Sequence, residues 1–187
     1  MIRALLLIDI QTGMDSPLWG ARNNPEAETN AARLLAGFRG CGHPVIHVRH
    51  MSTRPDSPLH PTQGGTAMKP IVAPRGDEPV LEKSTNSAFI GTDLETRLRR
   101  LGATGLVIAG LSTPQCISTS MRMAANLGFD VWLAHDACAA FQSHARSDWR
   151  AGLPDLSAEQ IHNAEISMLH GEFGAARATD DILRDMV

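Results

Sequence analysis

Two kinds of apolar pattern alternate along the chain. The first is the short unbroken run: "RALLLIDI" (3–10), "PVIHVRH" (44–50), "PVLEK" (79–83), "GLVIAG" (105–110) and "FDVWLA" (129–134). Continuous apolar runs of this length predict strands buried on both faces of a sheet. The second is the stretch with helix start and stop signals. "NPEAETNAARLLAGFRGCG" (24–42) puts Pro25 in a first turn and Gly40 or Gly42 at the stop. "TDLETRLRRLG" (92–102) sets Thr92 and Glu95 at capping-box spacing and ends on Gly102. "QCISTSMRMAANLG" (115–128) and "SAEQIHNAEISMLHGEF" (157–173) complete the set, the latter capped by Ser157 with Gln160 three residues on. "ARATDDILRDM" (176–186) fits a sixth short strand and a last helix, and "CAAFQSHARSDWRAGLPD" (138–155) reads as irregular. Between 51 and 79 lies a long Pro-, Gly- and Ser-rich loop, a kind that usually carries function. Strands alternating with helices predict parallel βαβ units: an α/β fold, a three-layer αβα sandwich over a mostly parallel, six-stranded, doubly wound sheet.

Composition changes that picture little. A chain of 187 residues suits one domain (1–187) with a full core. With 43% hydrophobic residues, 20% charged residues and a formal net charge of −3, nothing favours nucleic acid or a membrane surface as partner. "ALLLIDI" is too short to cross a bilayer, and no charged segment with a cleavage site precedes it, so a cytoplasmic location is expected. Cys41, Cys116 and Cys138 are odd in number and widely spaced, which indicates neither a disulfide framework nor a CxxC pair.

Chemistry collects where the runs end. In open α/β sheets ligands bind at the carboxyl ends of the strands. Asp9 ends the first run, Lys83 ends the third, and Cys116 follows the fourth through "AGLSTPQC" (109–116). Cysteine attacks as a thiolate, and its free pKa of about 8.5 leaves only a few per cent ionised at neutral pH. A helix N-terminus and a neighbouring ammonium both raise that fraction, so Cys116 near a first turn and Lys83 close by fit an activated thiol. Each residue also has an ordinary reading. A free cysteine is most often core, an Asp after a strand caps a turn, and a Lys after a strand is solvated.

"ALLLIDIQTGM", "VLEKSTNSAFIGTDLETRLRRLGATGLVIAGLSTPQCISTSMRMAANLGFDVWLAHDACAAF" and "IHNAEISMLHGEF" resemble the isochorismatase-like cysteine hydrolases, which include nicotinamidases, carbamoylsarcosine amidases and ureidoacrylate amidases. The motifs are an Asp ending the first strand before Gln, a Lys ahead of "SAF", and G-x-x-T-x-x-C leading into a helix. By that resemblance Asp9, Lys83 and Cys116 are the catalytic triad. The implied strand order is 3-2-1-4-5-6, with the Asp9 and Cys116 strands adjacent where the winding reverses. The resemblance also implies a cis Leu111–Ser112 peptide, with the N–H groups of Ser112 and Cys116 forming an oxyanion hole. The reaction implied is hydrolysis of an amide, ureide or carbamoyl C–N bond of a small molecule through a thioester.

Metal-dependent members of that family carry an Asp-x-His pair and a later His. "VRHMSTRPDSPLHP" (48–61) supplies His50 and His60 but no such pair, and Asp56 is misplaced for it, so neither a metal nor another cofactor is expected. Gln11, Trp19, His50, Phe89 and Thr113 are the expected substrate contacts, with Gln11 also placed to orient Asp9. His47, inside a strand, is expected to pack; His162 and His170 are expected on the surface or at a subunit contact. Small residues at Ser120, Ala124 and Ala125 permit close packing, and the family implies a homodimer or homotetramer. The rival readings are vinyl-ether hydrolysis, which the family performs without the cysteine, a catalytically silent binding or assembly module, and thiol redox chemistry.

Overall fold

Ile2–Ile8 forms strand β1, and its alternate side chains enter two different cores. A computed structural model of the chain describes residues 2–186; Met1 and Val187 of the expected domain lie outside them. After β1 come helix α1 (Ala27–Gly40), β2 (Val45–His50), β3 (Val80–Lys83), α2 (Leu94–Arg100), β4 (Ala103–Leu111), α3 (Ser118–Asn126), β5 (Asp130–Ala139), α4 (Ala158–Leu169), β6 (Ala175–Arg177) and α5 (Thr179–Arg184). The six strands form one sheet in the order β3-β2-β1-β4-β5-β6, with every pairing parallel.

Ala4, Leu6 and Ile8 of β1 face Leu94 and Leu98 of α2, Met121 and Ala124 of α3 and Leu169 of α4. Leu5 and Leu7 face Ala31, Leu34, Leu35 and Phe38 of α1 and Ile182 of α5. A strand sandwiched this way has no polar face, which is why its sequence reads as a continuous apolar run. At about 25 cal/mol per Å² of apolar area buried, these two layers are the main source of stability.

The predicted elements shift at three places, each for a local reason. Strand β5 runs on through the polar pair His135–Asp136 to Ala139, past the expected end at Ala134. Asp136 Oδ1 accepts from Thr179 N (2.9 Å) and Thr179 Oγ1 (2.8 Å), so the carboxylate caps α5 and is not stranded in the sheet. A register shift against β4 between Ile108 and Gly110 accommodates the extension. The Thr92–Glu95 capping box does not form. Thr92 Oγ1 donates to Ala88 O at 2.6 Å and the helix starts one residue later, with Asp93 at the N-cap. By contrast, Ser157 and Gln160 exchange both bonds of a capping box at the start of α4. Finally, α3 begins at Ser118, and Thr113–Ile117 forms a wider π-type turn ahead of it, closed by Ile117 N on Ser112 O at 3.2 Å.

Gly110 is where only glycine fits. Its φ is +135°, and a Cβ there would lie 2.0 Å from Ile8 O. The ends of β1 and β4 are therefore pressed together one residue before each leaves the sheet.

Candidate active site

That contact sets the site. Asp9 follows β1 with φ +55°, in the left-handed region that Asp tolerates better than most residues, and is fully buried. Lys83, the last residue of β3, reaches across β2 with its whole stem buried. Its Nζ lies 2.6 Å from Asp9 Oδ2, 3.1 Å from His50 Nδ1 and 3.3 Å from Cys116 Sγ. An ammonium has three N–H bonds, and here three acceptors surround it. His50 therefore presents a bare Nδ1, with its proton on Nε2. Burial, and then the Lys83 charge, hold the imidazole below its ordinary pKa, in the neutral form this bond requires.

The thiol behaves differently from the sequence expectation. Cys116 sits near the helix start as expected, in the π-type turn that runs directly into α3, but its ionisation is not that of an activated thiol. Burial and the Asp9 charge push its pKa up, outweighing the pull of Lys83. Burial also raises Asp9, partly offset by Lys83. The carboxylate and the sulfur thus face one and the same ammonium. Asp9 Oδ1 is buried and has no hydrogen-bond partner among the described residues.

Behind the thiol, the Leu111–Ser112 peptide is cis. Ser112 O accepts from Gln115 N and Ile117 N, both at 3.2 Å, while among the described residues Ser112 N has no backbone acceptor. Two histidines hold the corner. His144 Nδ1 lies 2.6 Å from Ser112 Oγ, and His162 Nδ1 lies 2.8 Å from Thr113 Oγ1. His162 Nε2 is 3.4 Å from Asn24 Nδ2, and that amide also donates to Cys138 O at 2.8 Å.

The other residues singled out in the sequence have these neighbours in the fold. Gln11 meets Asp9 through the backbone, its N donating to Asp9 O at 2.9 Å, while its side-chain amide turns away from the carboxylate: Nε2 donates to His50 O (3.0 Å) and Thr66 O (3.1 Å), and Oε1 accepts from His50 N (2.7 Å). Both ends of that amide pin the end of β2 to the long loop. Phe89 packs its ring against Phe129 in the core layer, with centroids 6.3 Å apart. Thr113 is buried and committed to His162. His162, expected on the surface, is buried because positions 158, 161, 162 and 169 form the inner stripe of α4. His47 is packed as expected, with Nε2 2.9 Å from Glu78 Oε2. His170 is exposed and accepts from Ala176 N at 3.0 Å. Trp19 donates from Nε1 to Gly13 O at 2.8 Å and meets the His144 ring edge-on at 5.3 Å. Leu18 and Gly20 on one side, and Gln142, Ser143 and Ala145 on the other, line a surface cavity of about 440 Å³.

A metal fits this centre poorly. One donor atom each from Asp9, His50 and Cys116 lies within 4.8 Å of the others, a spacing that a small cation can bridge. The Lys83 ammonium already touches all three, so an ion would have to displace it. His60 serves another purpose, capping the turn at Pro61–Gln63.

Known proteins share this sequence pattern and fold. The family model for the isochorismatase domain matches residues 3–174. The chain belongs to the isochorismatase family. This isochorismatase-family hydrolase is 41% identical to the uncharacterized isochorismatase family protein YrdC of Bacillus subtilis, over 99% of this chain and 96% of that one. A streptothricin hydrolase of Streptomyces noursei is 33% identical over 79% of this chain and 53% of its own length. An isochorismatase-family crystal structure from Chromobacterium violaceum superimposes with a TM-score of 0.91 at 45% identity, covering 99% of this chain and 93% of that one.

Proposed function

We propose that this hydrolase cleaves the C–N bond of a small amide, ureide or carbamoyl compound through a thioester on Cys116. The observation that carries the reading is the Lys83 ammonium placed between the Asp9 carboxylate and the Cys116 sulfur. In the first half Asp9 takes the thiol proton as sulfur attacks the carbonyl carbon, and Lys83 balances the negative charge. The oxyanion rests on the N–H groups of Ser112 and Cys116. Asp9 returns its proton to the nitrogen, which leaves with the electron pair of the broken C–N bond. In the second half Asp9 takes a proton from water, the hydroxide adds to the thioester, and the C–S bond breaks to release the acid. Asp9 then gives its proton back to sulfur. Because the thiol rests protonated, attack and proton transfer are coupled, and the dyad needs no standing thiolate. A vinyl-ether reaction has no use for the sulfur, which disfavours that rival.

A screen for ammonia or amine release over amides, ureides and carbamoyl compounds tests the reading. Turnover of at least one member is expected, with Cys116→Ala folded by circular dichroism and inactive. Full activity in Cys116→Ala would refute the mechanism. A folded wild type inactive across the screen would favour the binding-module alternative.

A further inference from the structure

The molecule holds a half-buried polar ring for which the proposed mechanism has no use. His144 belongs to a short turn, Gln142–His144, that follows β5. Its ring meets Trp19 edge-on at 5.3 Å and Phe141 at 5.2 Å, and Trp19 meets Phe141 at 6.4 Å. That is an aromatic slot, and phenylalanine would fill it without bringing polar atoms into it. Nε2 is buried with no partner, so the 2.6 Å contact to Ser112 Oγ is the ring's one polar bond among the described residues. Burying Nε2 without a partner carries a desolvation cost, and among the described residues the Ser112 contact is the polar return.

Ser112 is held from two sides. Its carbonyl is taken by Gln115 N and Ile117 N, and its hydroxyl by His144, while its N–H has no backbone acceptor among the described residues. We infer that His144 is a positioning residue: it fixes Ser112 through the hydroxyl so that the Ser112 N–H keeps its aim at the substrate oxygen. The inference rests on the proposed role of Cys116 as nucleophile. Burial pushes the His144 pKa down to about 4, so the ring acts as a neutral hydrogen-bond partner throughout the neutral range.

Two reagents for the same thiol separate this role from a general effect on folding. p-Nitrophenyl acetate acylates sulfur: the S–C bond forms, the thiol proton passes to Asp9, and p-nitrophenolate departs with the electrons of the ester C–O bond. That path builds an oxyanion. Iodoacetamide alkylates sulfur with loss of iodide and builds none. In His144→Phe and in Ser112→Ala the acylation rate of Cys116 should fall about ten- to a hundredfold. Alkylation should stay within about twofold, since these variants leave the local charge on the thiol unchanged. The double variant should be no slower than either single one, because both remove the same bond. His144→Asn, which keeps a polar group in the slot, should recover part of the loss. Equal losses in both reactions, no loss in either, or additive effects in the double variant would each overturn the inference. If wild-type Cys116 alkylates but is never acylated, the nucleophile reading itself fails, and the inference falls with it.

Discussion

Asp9 and Cys116 face one ammonium, and the proposed reaction gives that arrangement a pH signature. The base in the proposed reaction is the Asp9 carboxylate, and burial raises its pKa even with Lys83 beside it. As pH falls through that raised value the base becomes protonated and kcat/KM drops. The acid limb of the profile is therefore expected above the ordinary Asp value of about 4. Initial rates on the best compound from the amide screen check this, and a limb at or below 4 would contradict it. The identities of Asp9, Lys83 and Cys116 were legible because each stands at or just beyond the carboxyl end of an apolar run. The direction of the thiol's pKa was not. Sequence shows the Lys and the coming helix, but not that the sulfur is buried against a carboxylate. His144 was hidden for a related reason: it sits in a stretch with no periodicity, and only the fold brings it to Ser112.

At the scale of elements, helix α4 has two tasks that meet at its first turn. Its capping box, Ser157 with Gln160, starts the helix, and His162 two residues on holds Thr113 beside the nucleophile turn. Ser157→Ala removes one side of that box and should cost about 1 kcal/mol of unfolding free energy, read from the urea midpoint. A change below a few tenths would mean that packing alone sets the start of α4. Periodicity predicted this helix and its cap well. It also carried the answer for His162, since that residue shares a stripe with Ala158, Ile161 and Leu169. The end of β5 was not readable, because whether His135–Asp136 halts a strand depends on α5, which supplies Thr179 as partner for the aspartate. The start of α2 was misread by one residue: Thr92 Oγ1, donating to Ala88 O, accepts from Leu94 N at 3.3 Å and not from Glu95 N as a capping box requires.

Across the whole molecule, one acidic side chain ties the long loop to the rest. Glu28, in the first turn of α1, accepts from Arg22 at 2.9 and 2.8 Å and from Lys69 at 2.7 Å. Burial alone would raise its pKa, but the bonds from Arg22 and Lys69 outweigh that and bring it down to about 2. A carboxylate lowered on folding adds stability above its unfolded value of about 4.3, and that stability fades as pH drops toward 2. Glu28→Gln should therefore flatten the fall of Tm between pH 5 and pH 2 while lowering Tm at pH 7. The neutral-pH difference is on the order of 2–3 kcal/mol. An unchanged acid slope would show that the tie contributes nothing. The family and its strand order could be reached from the motifs, because parallel units with right-handed crossovers leave few topologies. The course of 51–79 could not, because Glu28, Lys69 and Gln11 come together only after the sheet has closed.

The three-way grip on the lysine nitrogen also shapes what the crevice can select. An ammonium with every N–H engaged is a fixed counter-ion and not a docking point, so an incoming anion gains little from it. Discrimination among guest molecules then falls to the surrounding walls, and the same chemistry can be turned on different compounds by rebuilding loops that never touch the sulfur.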